Sequence, residues 1–120
     1  MKELKELKEK IKNIEVTYDY EETYSNLYNV VTDYMNDTQD WDFEYLFENY
    51  IDEEILKEMI KYKIDQEGIW SVNNLLSGIE NYDNIYFVDV YGYGRGLTKE
   101  DLENLKDEIL TEIDRKINEM

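Results

Sequence analysis

Residues 98–120 read TKEDLENLKDEILTEIDRKINEM, and their spacing decides the class of the fold. Leu102, Leu105, Ile109, Ile113, Ile117 and Met120 recur every 3.6 residues on average, the period of an α-helix with one buried side. Thr98 stands at the N-cap, with Asp101 three positions on in capping-box style, although Asp is a poorer partner there than Glu. The charged residues between the apolar ones face water. A helix of this kind must pack against other apolar faces, and the rest of the chain supplies them.

Just upstream the character changes. NIYFVDVY (84–91) is β-branched and aromatic, bounded by NYDN before and glycines after, and predicts a strand. GYGRGL (92–97) reads as an open turn. Ile69, Val72, Leu76 and Ile79 predict a short helix ending near Gly78, and Gly68 punctuates before it. Asp52 is placed to cap a helix that turns Ile55, Leu56, Met59, Ile60 and Ile64 inward. Residues 41–50 read as another short helix carrying Phe43, Leu46, Phe47 and Tyr50, after a loop NDTQD (36–40). From about Glu21 to Met35, the positions Tyr24, Leu27, Tyr28, Val31, Tyr34 and Met35 mark a helical face.

At the other end, Leu4, Leu7, Ile11 and Ile14 follow 3-4-3 spacing and predict an amphipathic helix over residues 2–14. IEVTYDY (14–20) alternates and reads either as a short strand or as a helix running through. The expected architecture is mainly α (α+β): a small helical domain with a short two-stranded β element pairing 84–91 with 15–20. Residues 1–14 are expected to be a separable helix, docked on the domain or on a second copy in a homodimer. Residues 15–120 are expected to be one acidic helical domain.

Composition removes whole classes of function. The chain has 120 residues, 42% of them hydrophobic, which fits one folded domain, and the absence of Pro fits a helix-rich chain. There is no Cys, hence no disulfide, thiolate zinc site or cysteine nucleophile. There is no His, the commonest general base and transition-metal ligand. No metal and no cofactor is expected. The start MKELKELKEKIKNI lacks the apolar core of a signal peptide, and no apolar run approaches the ~20 residues that span a bilayer. A cytoplasmic location is the expectation.

Net charge is −17, and its distribution carries more than its size. Residues 1–14 hold five Lys against three Glu, residues 57–120 hold eight basic against fourteen acidic, and residues 15–56 hold thirteen acidic and none basic. Seven of the twelve tyrosines fall in that same middle segment. Such a field repels nucleic acid and anionic membranes and speeds encounter with basic proteins. The candidate partner-binding residues are therefore Asp33, Asp37, Asp40, Asp42, Glu44 and Glu48, with Trp41, Phe43 and Tyr45 beside them as apolar anchors. DNA shows one phosphate per ~3.4 Å of axis on each strand. Carboxylates one helical turn apart are ~5.4 Å apart in rise, close enough to engage the Arg and Lys of a nucleic-acid channel. A plainly solvated acidic surface over a helical core is the competing account.

Other motifs fail on their own terms. The cluster Gly92-Tyr93-Gly94-Arg95-Gly96 stands between a strand and a helix, where phosphate cradles occur, but GxGxxG needs Gly where Leu97 stands, and no Walker Lys follows. It reads instead as a turn, or as an exposed recognition loop in which Tyr91, Tyr93 and Arg95 are residue types enriched at interface hot spots. An EF-hand starting at Asp40 needs Gly at position 45 and Glu at position 51, where Tyr45 and Ile51 stand. Carboxylate pairs for acid–base work carry no specificity in a chain with thirty acidic residues. No enzyme is expected.

LFENYIDEEILKEMIKYKI, GIWSVNNLLSGIE and NIYFVDVYGYGRGLTKEDLENLKDEIL together resemble small acidic proteins carried by phages and integrative elements of low-GC Gram-positive bacteria. Tyr86, Asp89, Tyr91, Gly92, Tyr93, Gly94 and Thr98 carry the likeness, which spans roughly residues 46–112 and includes no catalytic motif. Proteins of this kind include inhibitors of CRISPR nucleases. The resemblance implies a non-enzymatic anti-CRISPR inhibitor that binds a basic nucleic-acid-binding surface of a CRISPR effector and blocks DNA access. The alternative is a small acidic regulatory protein assembling through residues 2–14 and 98–120, with acidity serving solubility alone.

Overall fold

In a computed structural model, which describes residues 2–51, 53–68, 86–88 and 94–119, the C-terminal stretch forms the helix Lys99–Asn118 (α4). Thr98 closes its start in a full capping box. The Asp101 amide donates to the Thr98 hydroxyl at 3.2 Å, and the Thr98 amide donates to an Asp101 carboxylate oxygen at 2.9 Å. Leu102, Leu105, Ile109 and Ile113 are buried, and Ile117 is half-buried.

The fold is mainly helical with a short antiparallel β element, and the chain divides into two compact units, Met1–Phe47 with Thr98–Met120 and Glu48–Leu97. In the first unit α4 is accompanied by α1 (Lys2–Lys12), α2 (Tyr20–Thr38) and a 3-10 turn (Glu44–Phe47). Helix α1 packs on α4 and α2, while α2 and the 3-10 turn pack on α4. Leu4, Leu7 and Ile11 from α1, Leu27, Val31 and Met35 from α2, and Phe43, Leu46 and Phe47 join the α4 stripe in one buried set. The division of the chain thus places residues 1–14 inside the first unit rather than apart from it.

Helix α1 has no Gly to end it. Its last turn is closed instead by Lys106 of α4, whose ammonium donates to the carbonyls of Ile14 at 2.7 Å and Lys12 at 3.2 Å, a cation at the negative end of a helix. Lys8 adds an ion pair to Asp114 at 2.7 Å. Residues 15–19 are neither strand nor helix. The Thr17 amide donates to the Thr23 hydroxyl at 3.3 Å, and the Asp19 amide donates to the Thr17 hydroxyl at 3.2 Å. Those local bonds use the backbone that a strand would need for its ladder.

Helix α2 runs three residues beyond its expected end at Met35, to Thr38, where the Thr38 hydroxyl donates to the Tyr34 carbonyl at 2.8 Å. Gln39 then turns left-handed, with φ 59°, and donates its amide to Met35 at 2.8 Å. The expected helix over 41–50 shrinks to the 3-10 turn, because Tyr50 belongs to a strand.

The second unit holds β1 (Tyr50–Ile51), α3 (Glu53–Glu67), β2 (Tyr86–Val88) and β3 (Gly94–Gly96). The expected strand is present as β2, but it pairs with β1 and β3 rather than with residues 15–20, so the sheet has three strands in the order β1-β2-β3. Tyr50 faces Phe87 across one ladder, their rings 5.6 Å apart and edge-on, and Phe87 faces Arg95 across the other. The expected turn at 94–96 is therefore a strand, since both edges of β2 carry backbone groups that need partners. Leu56 is buried, with Ile51, Ile60 and Tyr86 packed against it, whereas Ile64, expected inward, is 48% exposed. Helix α3 ends at Gly68, whose φ of +86° favours glycine although a Cβ there would meet no atom. The expected helix around Ile69–Ile79, the Asp52 cap and the outer residues of the 84–91 strand lie outside the described residues.

Candidate partner-binding surface

Six of the eleven candidate residues stand close together in sequence at the end of α2 and in the link to the 3-10 turn. Asp33 and Asp37 lie one turn apart on α2, both exposed, with a rise of ~6 Å between them. Trp41 is 46% exposed. Glu44, at the start of the 3-10 turn, is exposed. Among the described residues, no ion pair neutralises Asp33, Asp37 or Glu44.

Asp40 and Asp42 differ. Lys116 of α4 places its ammonium 3.0 Å from an Asp40 oxygen and 2.7 Å from an Asp42 oxygen. Asp40 also accepts from the Tyr34 hydroxyl at 3.2 Å and from the Asp42 amide at 3.3 Å. Partial burial works against the Asp40 charge, but Lys116, the Asp42 amide and Tyr34 together hold its carboxyl below the usual range. Partial burial likewise opposes the charge on Lys116, and the two carboxylates outweigh it, raising its pKa. These two candidates are therefore ion-paired within the chain, which leaves less of their charge for a partner than the sequence alone suggests.

Tyr45 is 54% exposed, yet its hydroxyl donates to Glu112 of α4 at 3.2 Å. Loss of water around the phenol, then the nearby Glu112 charge, raise its pKa. Glu112 is buried and is held ionised first by Arg115, one turn on, and also by Tyr45. Glu48 is exposed and begins the second unit. Tyr91 and Tyr93 lie outside the described residues, and so does the Arg95 side chain.

The spacing of the sequence misses Lys116, Tyr34, Glu112 and Arg115. The one hint is that Lys116 falls three residues after Ile113, beside the apolar stripe, where a Lys keeps its stem half-buried. Below the link, a groove of about 760 Å³ is lined by Glu3, Leu4, Tyr34, Asp37, Thr38, Asp40, Lys116 and Glu119. Four carboxylates and one ammonium surround it. Among the described residues no group of three Asp or Glu is arranged to hold a metal ion, and no helix is long and apolar enough to cross a membrane.

The lowered carboxyl pKa values of Asp40 and Glu112 set a pH dependence. A carboxyl whose pKa is lower folded than unfolded adds stability that is complete above its unfolded pKa, ~4 for these groups, and is lost as pH falls through the folded value. The thermal midpoint is expected to drop below about pH 4. Asp40→Asn should lower the midpoint at pH 7 and shrink the acid drop. Identical pH profiles for the two proteins would count against an ion pair at Asp40.

Comparison with protein families, curated proteins and solved structures finds no match for the chain.

Proposed function

We propose that this protein is a non-enzymatic inhibitor of a bacterial defence nuclease, acting in the bacterial cytoplasm. Its target is a basic nucleic-acid-binding surface, foremost that of a CRISPR effector, which it covers so that DNA cannot enter. The observation that carries the reading is that Asp33, Asp37 and Glu44 are exposed and, among the described residues, without an internal cation, in the same short stretch of chain as the exposed Trp41. Carboxylates in this setting keep their whole field for a partner, and an aromatic ring among them adds the apolar contact that charge alone lacks. The likeness of residues 46–112 to small phage-borne proteins points to the same setting.

The competing reading, assembly through the amphipathic helices, needs the stripes of α1 and α4 free. Leu4, Leu7, Ile11, Leu102, Leu105, Ile109 and Ile113 are all buried within the chain. The deciding experiment mixes the purified protein with CRISPR effectors from low-GC Gram-positive hosts and measures DNA cleavage and binding across a salt series. Inhibited cleavage, competition with DNA and affinity that falls steeply with salt are expected. Binding indifferent to salt, or none to any effector, would overturn the reading.

A further inference from the structure

Trp41 is flanked by two aspartates, and a single ammonium holds both. Lys116 reaches from α4 to Asp40 and Asp42 with a side chain only 14% exposed. Its ammonium stands 5.7 Å from the ring centre of Phe43, which is fully buried and edge-on to Tyr34 at 5.6 Å. On the near side, the Asp40 amide donates to the Thr38 hydroxyl at 3.3 Å. On the far side, the Trp41 carbonyl accepts from the Glu44 amide at 3.1 Å as the 3-10 turn begins. Thr38, Gln39, Asp40 and Asp42 thus each have a bonded side chain and Phe43 is buried, while Trp41 between them stays 46% exposed.

We propose that Lys116 is the positioning residue of a preorganised tryptophan anchor, clamping the two carboxylates beside Trp41 so that the indole is presented to an apolar pocket rimmed by Arg or Lys. The physical gain is that the link is ordered before binding, so less freedom is lost on association. The basic rim follows from charge complementarity with Asp33, Asp37 and Glu44. The partner half of the inference rests on the function proposed above; the clamp itself does not.

The test uses the full chain grown with 5-fluorotryptophan and read by fluorine NMR. The sequence has two tryptophans, Trp41 and Trp70, so Trp41→Phe assigns the signals. In Lys116→Met, which keeps the aliphatic stem and removes the charge, the Trp41 signal should narrow and move towards that of free 5-fluorotryptophan. The Trp70 signal and the helical circular dichroism should stay in place. Lys116→Arg should restore the wild-type Trp41 signal. A Trp41 signal unmoved by Lys116→Met overturns the clamp. If that variant loses helical signal, Asp42→Asn decides instead, since it loosens the clamp from its exposed side, and an unmoved Trp41 signal there overturns it equally. Against an inhibited effector, Lys116→Met should bind about 3–10-fold more weakly, in line with one ordered side chain. Unchanged affinity alongside a mobilised Trp41 overturns the anchor role. Absence of binding by the wild type refutes the proposed function and leaves the clamp to the NMR result.

Discussion

Deletion of residues 1–14 is expected to abolish the cooperative unfolding of the first unit. Helix α1 contributes Leu4, Leu7 and Ile11 to the core, all buried, with Ile11 wholly so. Truncating a buried Leu or Ile to Ala costs ~2–5 kcal/mol, so losing three such residues rivals the ~5–15 kcal/mol that stabilises an ordinary domain. The deletion also strips Lys106 of the carbonyl acceptors on Lys12 and Ile14, and Asp114 of its Lys8 partner. Surface ion pairs add little, so the apolar loss decides the outcome. Circular dichroism should show loss of much of the helical signal in the truncated chain and no sharp thermal transition. The single variant Ile11→Ala should shift the urea midpoint by an amount equivalent to ~2–5 kcal/mol. Periodicity by itself suggests a detachable helix whose removal leaves residues 41–112 folded. A truncated chain that melts like the full one would restore that view and contradict the packing of α1.

Joint neutralisation of Asp33, Asp37 and Glu44, to Asn, Asn and Gln, is expected to slow association with the basic partner about tenfold and to flatten its salt dependence. These three are chosen because they are exposed and, among the described residues, have no internal cation, whereas Asp40 and Asp42 hold Lys116. A variant of Asp40 or Asp42 would mix lost steering with a loosened link. The triple variant reduces net charge from −17 to −14, and its melting temperature should stay level or rise as self-repulsion falls. Each charge alone contributes too little to register, ~0.2–1 kcal/mol for an exposed pair, because water screens it. Stopped-flow association rates at several ionic strengths measure the effect. An unchanged rate and slope in the folded triple variant would reduce the acidity to a solubility device.

The helices were legible where the chain speaks locally. The stripe from Leu102 to Ile113 and the Thr98 capping box depend on residues three or four apart, and both are where the spacing puts them. The same holds for α1 and for most of α2, and for β2, whose β-branched and aromatic run marks it as strand. The candidate surface was legible in part. Exposed Asp33, Asp37, Trp41 and Glu44 follow from an acidic stretch interrupting an amphipathic pattern, but the neutralisation of Asp40 and Asp42 does not.

What the tertiary structure alone decided are the pairings between distant residues. Lys116 meets Asp42 across 74 positions, and Lys106 closes α1 from 92 positions beyond Ile14. Strand β2 took its partners from Tyr50–Ile51 and Gly94–Gly96, although IEVTYDY has the better strand alternation. The physical reason is common to all of these. Helix period and caps are set by neighbours along the chain, so the sequence alone determines them. Which ammonium finds which carboxylate, and which backbone edge finds which strand, depends on distances that exist only after the apolar stripes have packed.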